Sequence, residues 1–199
     1  MKVLALSPHT DDIELGAGGY LTKLHEQGHD IFSVIFSDCS NHWDLPLREE
    51  CANSLTLINS NPVFADLPAR EFDRQVVLDL MITTRETIKP DLVLLPSSSD
   101  IHQDHVVIHA EGVRAFSREC SVLGYDLHWN CRGFNPNYFI ELQEKHVNGK
   151  LKMLRNYKSQ VRLHRPYFDE VLIRGLARSR GLQIKKEYAE AFEVITLVE

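Results

Sequence analysis

Three short, almost continuously apolar runs, Lys2-Val-Leu-Ala-Leu6, Ile31-Phe-Ser-Val-Ile-Phe36 and Leu92-Val-Leu-Leu95, are separated by longer stretches whose apolar residues recur at helical spacing. A strand that is apolar on both faces cannot border water. Such strands belong in a parallel sheet covered by helices on each side. The pattern predicts strand 2–6, helix 13–27 closed by Gly28, strand 31–36, helix 47–58, a brief strand 63–65, helix 72–88, strand 92–95 and helix 105–116. In the segment 72–88, Val76, Val77, Leu80, Met81 and Thr84 fall on one face, and Lys89-Pro90 ends the helix because proline cannot continue its hydrogen-bond ladder. The last third is less regular: strand 138–142, helices 150–160 and 168–180, and a closing strand 192–198. The expected fold class is α/β, a doubly wound, Rossmann-like, mostly parallel sheet with helices on both faces. With no repeat, low-complexity tract or linker, residues 1–199 read as a single domain.

Composition narrows the partners. The 199 residues, 43% of them hydrophobic, suffice for one core. A formal net charge of −6 disfavours a nucleic acid held by long-range attraction. No run approaches the roughly 20 apolar residues that cross a bilayer, and the first apolar run breaks at Pro8, too early for a signal peptide. A cytoplasmic location without membrane insertion is therefore expected; a homo-oligomer is left open. Cys39, Cys51, Cys120 and Cys131 form no Cys-x-x-Cys pair and read as free thiols.

Two polar clusters interrupt this pattern. Pro8-His9-Thr10-Asp11-Asp12-Ile13-Glu14 follows the first strand, and His102-Gln103-Asp104-His105 comes a few residues after the fourth. Ligands in open α/β sheets bind at the carboxyl ends of strands, where neighbouring connections diverge. A strand order 3-2-1-4 would bring the clusters face to face. A catalytic zinc takes three His or carboxylate ligands and keeps a fourth position for water, and His9, Asp12 and His105 supply such a set. His9 and Asp12, three apart, share a face if the loop tightens into a helical turn, which leaves Asp11 free to act as the base. His102 is a candidate for stabilising the oxyanion, oriented and more easily protonated through Asp104. Glu14 supports a ligand, binds substrate or caps the first helical turn. His42 and Trp43 follow the second strand and either contact a sugar ring or are ordinary loop residues. Arg162, His164 and Arg165 form either a phosphate-binding or a solvated basic turn. Gly16-Ala17-Gly18-Gly19 lacks the nucleotide-loop order and suits close packing of the first helix on the sheet.

These clusters resemble the LmbE-like (PIG-L) family of zinc-dependent de-N-acetylases, and the likeness extends through Leu47-Arg48-Glu49-Glu50, Lys158-Ser159-Gln160 and Tyr188-Ala189-Glu190-Ala191-Phe192. The resemblance implies that His9, Asp12 and His105 bind one Zn2+, with other divalent metals left open, that Asp11 is the general base, that His102 and Asp104 assist charge development, and that Arg48 reaches the sugar. It implies removal of an N-acetyl group from a small amino sugar, nucleotide sugar or related glycoconjugate. The chain departs from the family pattern at Thr10, Asp100, Gln103 and Tyr157; Asp100 replaces a tyrosine that helps polarise the carbonyl in some members, and Tyr157 bears on substrate contacts. Two other readings keep the fold: a catalytically silent sugar or nucleotide-sugar binding protein, and a hydrolase of a different N-acyl group.

Overall fold

The computed structural model describes residues 1–198. Its strands are β1 (Lys2–Ser7), β2 (Asp30–Ile35), β3 (Val63–Phe64), β4 (Leu92–Pro96), β5 (Ser121–Tyr125), β6 (Tyr138–Leu142) and β7 (Tyr188–Thr196). The helices are α1 (Asp12–Glu26), α2 (Leu47–Leu55), α3 (Arg74–Ile88), α4 (Gln103–Phe116), α5 (Glu144–Leu154), α6 (Lys158–Arg162) and α7 (Glu170–Gln183). All seven strands join one sheet in the order β3-β2-β1-β4-β5-β7-β6. The first five run parallel, while β7 is antiparallel to both β5 and β6. This is the doubly wound α/β sheet that the apolar runs predict, and its first four strands take the 3-2-1-4 order that brings the two polar clusters to one crevice.

β1 shows why the sequence selects this arrangement. Val3 and Ala5 join a core with α1, α2, α5 and α7, whereas Leu4 and Leu6 join a second core with α3 and α4. Each of these four side chains is fully buried, as a central strand covered on both faces requires. The chain leaves β1 for α1 on one face, and leaves β4 for α4 on the other. The carboxyl ends of β1 and β4 therefore flank an open crevice. Gly16 and Gly19 bring α1 against the sheet: a Cβ at Gly16 would lie 2.3 Å from the Tyr125 ring, and one at Gly19 would lie 2.5 Å from Leu142.

Four details differ from the sequence reading. The buried face of α3 is Val77, Leu78 and Met81, while Val76 is exposed, so the apolar stripe lies one position away from the expected one. β5 has no counterpart in the sequence reading; it is only five residues long and contains Gly124, where a Cβ would sit 2.9 Å from the Ser97 Cα. α5 begins six residues earlier than expected because the His146 ring accepts a hydrogen bond from the Gln143 backbone N–H at 3.0 Å, fixing the first turn. Asn148-Gly149 has a turn signature, yet glycine is needed inside this helix: a Cβ there would meet Thr22 at 2.4 Å. β7 starts at Tyr188 rather than Phe192 because pairing with β6 extends it.

Candidate metal and catalytic site

The loop after β1 folds back on itself through side chains. Asp12 opens α1 and its Oδ2 accepts a hydrogen bond from the His9 backbone N–H at 2.8 Å, closing the tight turn expected of a three-residue spacing. Across the crevice, the Asp100 carboxylate accepts from the His102 N–H at 2.9 Å, and the His102 Nδ1 accepts from the Asp104 N–H at 3.3 Å to cap α4. These two short networks fix where the rings point.

Three donor atoms then converge. His9 Nδ1 lies 3.3 Å from Asp12 Oδ2, His105 Nε2 lies 3.3 Å from the same oxygen, and the two nitrogens are 3.2 Å apart. Ligands about 2.1 Å from a tetrahedral zinc stand roughly 3.4 Å from one another. The donor set and its spacing fit one such ion. The far ring nitrogens are also occupied: His9 Nε2 meets Asp104 Oδ2 at 2.8 Å, and His105 Nδ1 meets Asp100 Oδ2 at 2.8 Å. A carboxylate behind each imidazole holds the N–H on the outer nitrogen and leaves the inner lone pair free for a cation. His102 lies close enough to His9 and His105 for one ring nitrogen of each to fall within 4.8 Å of the others.

Electrostatics agree with a cation-poised site. Burial pulls the His9 imidazole down, but hydrogen bonds to Asp104 and Asp12 and the charge of Asp12 outweigh it and raise its pKa to about 9. At His105, burial is likewise outweighed by the charge of Asp12 and the hydrogen bond to Asp100, giving about 10. Burial would raise Asp12; His105 and His9 hold it well below the ordinary carboxylate range. Positive charge is thus favoured where the three donors meet, and a divalent ion competes with protons for that position. Asp11 stands next to this triangle. Burial, then the charge of Asp12, pushes its carboxyl up to about 7. Its side chain forms no cap on α1.

The crevice is a cavity of about 210 Å³. His9, Asp11, Asp12, His102, His105 and His42 all line it, as the sequence suggests. Other candidates lie elsewhere. Asp104 is buried behind His9, where its Oδ2 also accepts the Arg70 N–H at 2.8 Å, so it orients His9 rather than His102. His102 accordingly moves opposite to expectation: burial, then the positive charges of His105 and His9, lowers its pKa. Glu14 is fully buried, accepting from the Ser54 hydroxyl at 2.7 Å and from the Tyr157 hydroxyl at 2.7 Å, and does not reach the cavity. Tyr157 shares that interior position, so its departure from the family pattern alters packing and not the cavity lining. Arg48 is drawn away by Asp38 at 3.3 Å and by Asp66, with its guanidinium 4.2 Å from the centre of the Phe64 ring. It lines a separate surface depression.

Several cavity residues carry no signal in the sequence. Arg70 enters from the loop after β3, in a left-handed backbone conformation with φ 72°. Trp129 and Tyr167 enter from distant segments and stack, with ring centres 4.3 Å apart and planes at 17°. Asp100 acts behind the His105 ring.

Residues 4–116 match the family described as PIG-L: GlcNAc-PI de-N-acetylase, a span that contains both histidine clusters and every residue of the donor triangle. The chain belongs to this family. It is 27% identical to the diacetylchitobiose deacetylase of Thermococcus kodakarensis over an alignment covering 98% of this chain and 83% of that one. The solved N,N'-diacetylchitobiose deacetylase of Pyrococcus horikoshii shares its fold with a TM-score of 0.79 at 22% identity, covering 98% of this chain and 83% of that chain. The 4-carboxy-2-hydroxymuconate hydratase of Pseudomonas putida KT2440 also has a TM-score of 0.79, at 18% identity, over 100% of this chain and 97% of that chain. One fold thus carries more than one reaction, and the function must be argued from the site.

Proposed function

We propose that this protein is a zinc-dependent hydrolase that removes the N-acetyl group of an amino sugar, a nucleotide sugar or a related small glycoconjugate. The observation that carries the reading is the triangle of His9 Nδ1, Asp12 Oδ2 and His105 Nε2, with the unengaged carboxylate of Asp11 beside it. Family membership and the deacetylase relatives support the same chemistry.

His9, Asp12 and His105 would hold the ion, with Asp104 and Asp100 keeping both imidazoles in the ligating tautomer. A zinc ion bound there would supply Lewis acidity that lowers the pKa of water to roughly 7. Asp11 accepts the proton of the attacking water and returns it to the departing amine nitrogen. His102 accepts the Asp104 N–H on Nδ1, so its neutral ring carries hydrogen on Nε2 and can donate to the developing oxyanion. Its lowered pKa favours that neutral form at physiological pH. A His donor takes the part that the family resemblance assigns to a tyrosine in some members, because Asp100 is committed to His105.

The cavity of about 210 Å³ lies below the ~300–1,000 Å³ common for drug-sized ligands, which suits one sugar-sized group with further substituents outside. No helix among the described residues is long and apolar enough to cross a membrane. The deciding experiment incubates zinc-loaded protein with N-acetylated sugars, nucleotide sugars and sugar conjugates, and measures acetate and new primary amine. Equimolar release that stops on chelation is expected. Sugar binding without release would identify a silent binding protein, and formate in place of acetate would reassign the acyl group.

A further inference from the structure

The lining of the cavity includes two arginines that the proposed hydrolysis does not use. Arg70 and Arg165 both line the cavity. Elsewhere Arg74, Arg114, Arg155, Arg174 and Arg180 each pair with a carboxylate. Among the described residues, neither Arg70 nor Arg165 has such a partner, although the chain has 28 acidic against 22 basic side chains. Of the carboxylates at the cavity, Asp12 is committed to His9 and His105, Asp104 to His9 and the Arg70 backbone, and Asp11, the proposed base, forms an ion pair with neither arginine.

The Arg70 backbone and the Arg165 guanidinium are each held in place. Arg70 sits at φ 72°, a conformation disfavoured for any residue with a side chain. It is kept there by its N–H to Asp104 Oδ2 at 2.8 Å and by its carbonyl, which accepts the Gln103 side-chain N–H at 2.7 Å. Arg165 follows His164, which is also left-handed at φ 52°. Its guanidinium carbon lies 5.5 Å from the centre of the Trp43 ring, and its Nε is buried with no hydrogen-bond partner. A buried donor without an acceptor is costly unless a ligand supplies one. Strain concentrated at a pocket rim points the same way.

We infer that the substrate is acidic: an N-acylated amino sugar carrying a phosphate or carboxylate that Arg70 and Arg165 grip while the acylated nitrogen lies at the donor triangle. The planar guanidinium fork accepts either anion in a bidentate manner. This inference rests on the hydrolase reading for the word substrate, but the anion site is testable by binding alone.

Calorimetry with the full chain, zinc-loaded and metal-free, compares N-acetylglucosamine with N-acetylglucosamine 6-phosphate and N-acetylmuramic acid, with inorganic phosphate as a further probe. At least one acidic sugar should bind about tenfold or more tightly than the neutral one, the size expected of charge-assisted hydrogen bonds. That preference should shrink as salt rises, survive removal of zinc, and collapse toward unity in Arg165→Gln and Arg70→Asn; asparagine tolerates the left-handed backbone, so the second variant should retain the fold. The stronger of the two acidic ligands identifies the anion. Equal binding of neutral and acidic sugars would overturn the inference, as would a preference that vanishes with zinc yet persists in both variants, because the anion would then sit on the metal. Acetate release without an acidic preference sinks the inference and leaves the hydrolase; an arginine-dependent preference without acetate from any compound does the reverse.

Discussion

The two walls of the crevice are built by opposite rules. On the metal side, His9, Asp12, His105, Asp100 and Asp104 are mutually hydrogen-bonded, mostly buried, and delivered by the ends of β1 and β4 and the first turns of α1 and α4. The other lining residues, Arg70, Arg165, Trp129 and Tyr167, come from loops and a short turn; the arginines lack carboxylate partners, and the Arg70 backbone touches the first network through Asp104 Oδ2. The first wall is rigid because each ligand leans on a second group. The second wall is irregular backbone that can change its side chains without disturbing the sheet. The contrast separates the chemistry, which needs fixed donors, from the choice of substrate, which needs variable ones.

The contrast breaks most severely if a ligand is removed. His105→Ala leaves Asp100 and Asp12 buried without their imidazole; zinc retained after dialysis, read by atomic emission, should fall to background and turnover with it. Full zinc content in that variant would place the third ligand elsewhere. Asp11→Asn should keep the zinc and lower kcat by about 10²–10⁴-fold, the usual contribution of a positioned base; unchanged kcat would remove Asp11 from the mechanism. Asp100→Asn and Asp104→Asn test the supporting carboxylates, and each should weaken zinc by roughly 10–100-fold in competition with a chromogenic chelator. No change would show that the triangle stands unaided.

Beneath the metal wall, Glu14 provides a test of stability. Burial, opposed by hydrogen bonds from Tyr157 and Ser54, raises its pKa from 4.5 to about 8. Between those values the folded chain retains a proton that the unfolded chain has released, so this group's contribution weakens as pH rises through that window. Each tenfold difference in proton affinity between the folded and unfolded chain is worth about 1.4 kcal/mol. Glu14→Gln should flatten this fall in denaturant titrations from pH 5 to 8; an unaltered slope would mean that Glu14 is ionised in the folded protein. The smallest effect belongs to the far wall. Trp129→Ala removes one face of the stacked pair, worth about 0.5–1.5 kcal/mol, and should raise KM roughly two- to tenfold with unchanged zinc content. A loss of zinc in that variant would show that the walls are not independent.

The convergence of His9, Asp12 and His105 on one cavity was legible because its signals are local. His9, Asp12 and His105 sit beside apolar strands whose order follows from short connections and right-handed crossovers. The far wall was legible only in part: Arg165 lies in the basic turn that the sequence reads as either phosphate-binding or solvated, while Arg70, Trp129 and Tyr167 carry no such signal. Arg48 carried the family signature, yet Asp38 and Asp66 draw it out of the cavity, while Arg70 enters through a turn that no residue-type preference announces. The pairing of Asp104 with His9 instead of His102 was equally hidden, because it joins residues 95 positions apart. β5 escaped because five residues with an internal glycine have too little pattern to distinguish a strand from a loop.

By itself the sequence determined the alternation of buried strands and amphipathic helices, hence the doubly wound sheet, and it placed two clusters of candidate ligands at strand ends. Hydrophobic periodicity and three-residue spacing are short-range properties that the chain states wherever they occur. Only the tertiary structure decided which carboxylate supports which imidazole, that Glu14 and Tyr157 turn inward, and which arginines face the crevice. Those outcomes depend on competition among distant partners for the same hydrogen bonds, and that competition is settled when the sheet brings them together.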